Sequence, residues 1–153
     1  MISDPSVDFL YLKQNCTVDE TAVYARNVDI EGDTNDWDQV CGYAYQPNPD
    51  TDPGKLIVNF PESGGQPGDY WILGTDYDNF ACIYSCFELE GYDFVQAWII
   101  TREDHPTIET IEKGLDVFIA NGIDVADFVP FPQENCDYSV IDDIACEPFG
   151  NEI

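Results

Sequence analysis

This chain of 153 residues is rich in two kinds of reactive side chain, cysteine thiols and carboxylates. It has six cysteines and a single histidine, His105. No two cysteines form a Cys-x-x-Cys pair, so a zinc site built from cysteine and histidine has little support. His105 precedes Pro106 at the start of a predicted helix, where we expect a solvated capping role rather than that of a general base.

The carboxylates do not single out a catalytic or metal site. Pairs such as Asp36/Asp38 and Asp142/Asp143 stand among 31 Asp and Glu residues, most of which belong to a solvated surface. Asp50-Thr51-Asp52 could hold calcium weakly, but it lacks the spacing of an EF-hand loop. The sequence has no Gly-x-Ser-x-Gly, no His-Glu-x-x-His and no phosphate-binding loop. We therefore predict no catalytic and no metal-binding residues, and a protein that is not an enzyme.

The even number of cysteines favours disulfides and an oxidising compartment. Cys82 and Cys86 lie four residues apart on one predicted strand, about 13 Å at the usual rise, so they cannot bond each other. Asn15-Cys16-Thr17 is a glycosylation sequon, although a disulfide at Cys16 would hinder its use. The first residues, Met-Ile-Ser-Asp, lack the basic and apolar regions of a secretion signal, so we expect that any such signal has been removed.

The charge of the chain excludes several classes of partner. Five Lys and Arg residues against 31 Asp and Glu give a formal net charge of −26. Such a chain repels nucleic-acid phosphates and anionic lipid headgroups. No apolar run reaches the roughly 18 residues that a membrane helix needs, which predicts a soluble protein. The expected partners are neutral apolar molecules, cations or basic proteins, and any oligomer must overcome strong repulsion between its copies.

The elements that must position these residues are mostly strands, in one domain over residues 1–153. Four short, apolar segments with polar turns between them predict an up-and-down antiparallel meander. Two weaker strand candidates precede them. The predicted strands cover residues 21–28, 37–45, 56–60, 70–76, 80–87 and 94–100.

A single amphipathic helix is predicted over about residues 105–121. Its apolar residues recur at helical spacing on one face. Asp104 can cap its start, Pro106 suits its first turn, and Gly122 suits the left-handed position after its end. The residues on the apolar face are Ile108, Ile111, Leu115, Phe118 and Ile119.

Three parts of the chain resemble the lipocalin family. Residues 70–81, with Tyr84-Ser85-Cys86, are similar to the Thr-Asp-Tyr region of that family. Ala97-Trp98-Ile99-Ile100-Thr101-Arg102 is similar to the strand that ends in the family's arginine. The helix, residues 122–124 and Gln133-Glu134-Asn135-Cys136 resemble the branch of apolipoprotein D, insecticyanin and crustacyanin. The Gly-x-Trp signature of the first strand is absent, and only residues 7–12 could stand in for it.

This resemblance implies an eight-stranded up-and-down antiparallel barrel with one C-terminal helix packed outside and a degenerate or missing first strand. A barrel of this size holds one small ligand. The resemblance places Trp98 inside, and the alternation of side chains along each strand then assigns the other inward positions. A filled core is the alternative for the same residues. The predicted ligand-binding residues are Leu56, Val58, Phe60, Tyr70, Ile72, Ala81, Ile83, Phe94, Gln96, Trp98 and Ile100.

For the cysteines, the resemblance implies a disulfide between Cys16 and Cys136. A bond between Cys41 and Cys146 also resembles one found in lipocalins, but the pairing of Cys41, Cys82, Cys86 and Cys146 stays open. The same phasing that places Trp98 inside turns Cys82 and Cys86 outward.

The resemblance implies a secreted protein that binds a small hydrophobic ligand in its barrel. A carotenoid or bilin chromophore is the first candidate, followed by a sterol or a fatty acid. The alternative is a structural or assembly subunit of a homo- or hetero-oligomer with little ligand binding of its own. A lipocalin enzyme of the isomerase type would need a free cysteine inside the barrel, and the outward phasing of Cys82 and Cys86 speaks against that.

Overall fold

The chain folds as an antiparallel meander of strands followed by one helix. A computed structural model describes residues 9–10, 22–30, 37–61, 64, 66–131, 133, 136 and 139. Each strand pairs with the next one along the chain, in the order β1 to β7. The elements are β1 (Phe9–Leu10), β2 (Ala22–Ile30), β3 (Trp37–Tyr45), β4 (Lys55–Asn59), β5 (Gly68–Thr75), β6 (Phe80–Leu89), β7 (Tyr92–Thr101) and α1 (Ile108–Ala120).

This order confirms the predicted meander with a C-terminal helix. The segment proposed as a stand-in for the first strand contains β1, whose Phe9 pairs with Val28 of β2. Seven strands lie within the described residues, so an eighth strand that closes a barrel stays a prediction.

Helix α1 begins later than its sequence predicted. Its N-cap is Thr107, whose Oγ1 accepts a hydrogen bond from the backbone N of Thr110 at 3.2 Å. The prediction that Asp104 caps the helix is wrong, since this carboxylate instead pairs with the ring of His105. Pro106 explains the difference, because a proline disfavours helical geometry in the residue before it. At the other end, Gly122 has a φ of 76°, which confirms the predicted left-handed position.

The helix packs against β5, β6 and β7, and this side of the sheet is here called the helix face. Phe80, Cys82 and Phe118 form the buried cluster at its centre. Cys82 is fully buried, and its Sγ lies 3.4 Å from the carbonyl oxygen of Gly114. The apolar residues packed around this cluster are Leu73, Ala97, Ile99, Val117, Ile123, Val125 and Phe128.

A β-bulge in β5 turns two consecutive residues toward the helix. The pairing of β5 with β6 shifts between Ile72 and Gly74. Leu73 packs against the buried cluster of the helix face, and a Cβ at Gly74 would lie only 3.0 Å from the side chain of Val117. A bulge sets two residues opposite one and bends the strand. Here it lets β5 follow the surface of the helix.

Cys136 does not pair as the resemblance implied. Cys136 is a free thiol, so the predicted bond between Cys16 and Cys136 is not formed. Cys41 is disulfide-bonded, and its partner is not Cys82, Cys86 or Cys136, which are all free. A disulfide needs Cα atoms within about 7 Å of each other, a tertiary relation that sequence similarity alone does not fix.

Candidate ligand-binding face

The side of the sheet opposite the helix carries the predicted ligand-binding residues and is here called the inner face. Directly paired residues of adjacent strands point to the same side of a sheet. Ile83 pairs with both Ile72 and Trp98, and Ala81 pairs with Ile100. Cys82 and Ile99, which alternate with them, pair with each other and lie under the helix. The predicted alternation is therefore found across β5, β6 and β7.

Strand β4 extends the same face. Leu56 pairs with Tyr70, and Val58 pairs with Ala44 of β3. Phe60 follows the end of β4 and lies against β3, where a Cβ at Gly42 would overlap the backbone of Asn59 and the Phe60 ring. Only a glycine at this position of β3 lets Phe60 approach so closely.

An aromatic pair lies at the centre of the inner face. The rings of Tyr70 and Trp98 stack with centroids 6.5 Å apart and planes inclined by 22°. Ile83, which pairs with Trp98 across β6 and β7, is almost completely buried. Their neighbours on this face, Leu56, Val58, Phe60, Ile72, Ala81 and Ile100, are half-buried. Their role in ligand binding stays a prediction.

The face is more open toward the hairpin that joins β6 and β7. Phe94 stacks on Phe87 with centroids 5.3 Å apart and planes inclined by 11°. Both rings are exposed, at 44% and 45%, and Gln96 is exposed as well. Phe94 and Gln96 therefore stand at the rim of the face rather than at its buried centre.

Sequence reasoning missed several residues of the inner face, among them two on β6. Ser85 pairs with Gln96, and Phe87 pairs with Phe94, so both share the face of Ile83. Ser85 is only 8% exposed. The alternation along β6 places both residues inward once Ile83 is placed, so the signal was present in the sequence.

The end of the sheet away from that hairpin is fixed by the turn between β5 and β6. Asp76 Oδ1 accepts hydrogen bonds from the backbone N of Asn79 at 2.7 Å and of Phe80 at 3.0 Å, and Asp76 Oδ2 accepts one from Asn79 Nδ2 at 2.7 Å. These bonds, the Asn79 side chain first, lower the pKa of Asp76 to about 2. Arg102, at the end of β7, donates from Nη2 and Nε to the Tyr77 carbonyl oxygen at 2.9 and 3.2 Å.

The remaining reactive groups lie away from the inner face. Burial raises the pKa of the Cys82 thiol to about 11, and this thiol is covered by the helix. His105 Nδ1 lies 3.0 Å from the Asp104 carboxylate, and both side chains are exposed. Within the described residues, no group of three His, Cys, Asp or Glu side chains could hold a metal ion. No described helix is long and apolar enough to cross a membrane.

The sequence of the chain is similar to the sequences of known proteins. A family model described as "Lipocalin / cytosolic fatty-acid binding protein family" matches residues 7–135. Apolipoprotein D of Mus musculus is 43% identical over 101 residues, which are 64% of this chain and 51% of that protein. Apolipoprotein D of Bos taurus is 31% identical over 134 residues, which are 84% of this chain and 65% of that protein. The chain thus spans about half the length of the mouse relative.

Solved structures show the same likeness. Lobster apocrustacyanin A1 matches with a TM-score of 0.66 and 26% identity, over 81% of this chain and 67% of that one. H1 crustacyanin from the lobster Homarus americanus matches with a TM-score of 0.68 and 25% identity, over 88% of this chain and 75% of that one. With its meander, its outer helix and a family match over most of its length, the chain belongs to the lipocalin family.

Proposed function

We propose that this protein is a secreted carrier that binds a small hydrophobic molecule on its inner face. Lipocalins are in general carriers of such ligands rather than enzymes. The observation that carries the proposal is the Tyr70–Trp98 stack, set in an apolar face that contains no charged residue at the inward positions of β4 to β7. Ligand sites of this kind are mostly apolar with a few polar groups.

A carotenoid or bilin pigment is the first candidate ligand, followed by a sterol or a fatty acid. The likeness to the crustacyanins supports a pigment, and the aromatic centre of the inner face supports a conjugated or ring-bearing molecule. Such a molecule would stack on or edge against Trp98 and Tyr70, each aromatic pair adding about 0.5–1.5 kcal/mol beyond burial. The disulfide at Cys41 supports an oxidising, extracellular location.

Two substitutions on neighbouring residues of β7 test the proposal. Trp98→Ala removes the central ring of the inner face, and we expect it to weaken ligand binding severalfold or more. Ile99→Ala is the matched control, because Ile99 faces the helix, and it should lower stability while leaving affinity unchanged. Pigment or lipid extracted from the natural protein, identified by absorbance and mass spectrometry, supplies the ligand for titration. If both variants lose stability alike and neither changes ligand uptake, the inner face is a filled core and the carrier function is wrong.

A further inference from the structure

We propose that the inner face selects hydrophobic ligands whose polar end is a neutral hydroxyl or carbonyl group, and that it rejects carboxylates. This inference rests on the proposed function and narrows its ligand class. It is carried by a row of uncharged polar side chains, Tyr70, Ser85 and Gln96, that crosses three strands at one depth of the inner face.

The strand register places these three residues side by side. Ser85 pairs with Gln96 between β6 and β7. Trp71 pairs with Tyr84 between β5 and β6, so the next position in the same register sets Tyr70 opposite Ser85. Adjacent strands lie about 4.8 Å apart, so Ser85 has Tyr70 on one neighbouring strand and Gln96 on the other, and the row spans about 10 Å.

Ser85 is the residue of this row that points to a ligand. It is more than nine-tenths buried, and its hydroxyl makes no hydrogen bond within the part of the chain that the structure describes. A ligand hydroxyl or carbonyl that reaches this serine could exchange hydrogen bonds with it inside a largely apolar face. The serine hydroxyl and the Gln96 amide can each donate and accept, so they suit both of these groups.

The rows on either side of the polar row are apolar. Ile72, Ile83 and Trp98 form the next row toward the Asp76 turn. Phe87 and Phe94 stack in the next row toward the β6–β7 hairpin. Within β5 to β7, a polar end group therefore finds its partners at this single depth, with the apolar body of the ligand against the Trp98 row.

Of the Lys and Arg residues whose side chains the structure describes, none is available to hold a carboxylate there. Lys55 lies over the ring of Trp71, on the opposite side of the sheet, at 4.9 Å from the ring centroid. Arg102 is bonded to the Tyr77 carbonyl, and Lys113 pairs with Glu109 on the helix. A carboxylate at this row would therefore lie without a cation from the described side chains, and a chain of net charge −26 repels it further.

Retinol and retinoate are the probes that test this selection, because they share one polyene and differ in the end group. Each is titrated into the full chain at neutral pH and physiological salt, and quenching of tryptophan emission reports binding. Trp98→Phe identifies the part of the signal that comes from the inner face. We expect retinol to bind about tenfold more tightly than retinoate or better, and Ser85→Ala to weaken retinol about three- to tenfold.

A charge introduced at the row should reverse the preference. We expect Gln96→Lys to strengthen retinoate binding, because the new ammonium group stands beside the polar row. Val95→Lys is the matched control, since Val95 precedes Gln96 on β7, is 54% exposed and belongs to the other face. It changes the net charge equally and should leave the preference intact.

The two proposals fail in different ways. If the wild-type chain binds retinoate as tightly as retinol, or if Gln96→Lys and Val95→Lys act alike, the selection for neutral end groups is wrong and the carrier function stands. If neither polyene binds, this inference fails, while the carrier function is decided separately by the ligand extracted from the natural protein.

Discussion

At the scale of single residues, Asp76 organises the turn that joins β5 to β6. One oxygen of its carboxylate accepts three backbone N–H groups, those of Asp78, Asn79 and Phe80. Thr75 closes the same turn, because its Oγ1 donates to the Phe80 carbonyl and accepts from the backbone N of Tyr77. The side chains of two adjacent residues thus satisfy the backbone of the turn from which β6 begins.

We expect Asp76→Asn to lower stability at neutral pH and to have a smaller effect in acid. The pKa of Asp76 is about 2 in the folded chain against 3.8 for the free side chain. Its ionised form therefore stabilises the fold fully above pH 3.8, and this contribution disappears as the pH falls through about 2. Denaturant unfolding at several pH values measures it. Asp78→Asn, with the same charge change in the same turn, is the control, and an equal loss in both variants would contradict the assignment.

The sequence predicted which face of the sheet a side chain lies on wherever the orientation of one residue of the strand was known, because side chains alternate between the two faces. Trp98, placed by resemblance, fixed the phase of β7, and its pairing with Ile83 carries that phase to β6. Ser85 was missed because a serine on a strand does not indicate burial by its type. The free thiol of Cys136 could not be predicted, since a disulfide depends on tertiary distance and local similarity does not report it.

At the scale of elements, α1 and the sheet approach each other through a glycine. A Cβ at Gly114 would lie 2.9 Å from two carbons of Ile99, and the Gly114 carbonyl already contacts Cys82. The apolar periodicity of residues 108–119 predicted this helix and the burial of Phe118, but Ile108 and Ile119 of the predicted apolar face are 78% and 56% exposed. Its start could not be placed from Asp104, because the geometry around Pro106 decides which residue becomes the cap.

We expect Gly114→Ala to destabilise the protein by about 1–3 kcal/mol, because the added methyl group overpacks the contact with Ile99. The gain in helix propensity, about 1 kcal/mol, offsets only part of this cost. In an Ile99→Ala background the methyl group has room, so the same change should be neutral or stabilising. A double-mutant cycle by chemical denaturation measures the coupling. Additive effects of the two substitutions would show that the helix does not rest on Ile99.

At the scale of the whole molecule, charge controls association. A net charge of −26 on 153 residues makes two copies repel each other at low ionic strength. At physiological salt concentration, repulsion between surface charges is largely screened beyond a distance of about 8 Å. An oligomer must therefore bury apolar surface, form disulfides, or bind cations or a basic partner.

We expect any oligomer of this chain to strengthen as salt or calcium is added, because both reduce the repulsion between acidic surfaces. Light scattering across a series of sodium chloride concentrations, repeated with calcium, measures the average mass. Dissociation on adding salt would show instead that attraction between opposite charges holds the copies together.

Because Cys82 is buried beneath α1, the chemical reactivity of its thiol also reports how often the helix separates from the sheet. The reactive form of cysteine is the thiolate, and because burial raises the pKa of Cys82 to about 11, very little of it is ionised at neutral pH. An alkylating reagent can reach Cys82 only when the helix separates from β6. The half-buried thiols of Cys86 and Cys136, by contrast, remain in partial contact with solvent. The rate at which Cys82 is modified therefore reports how often the helix leaves the sheet.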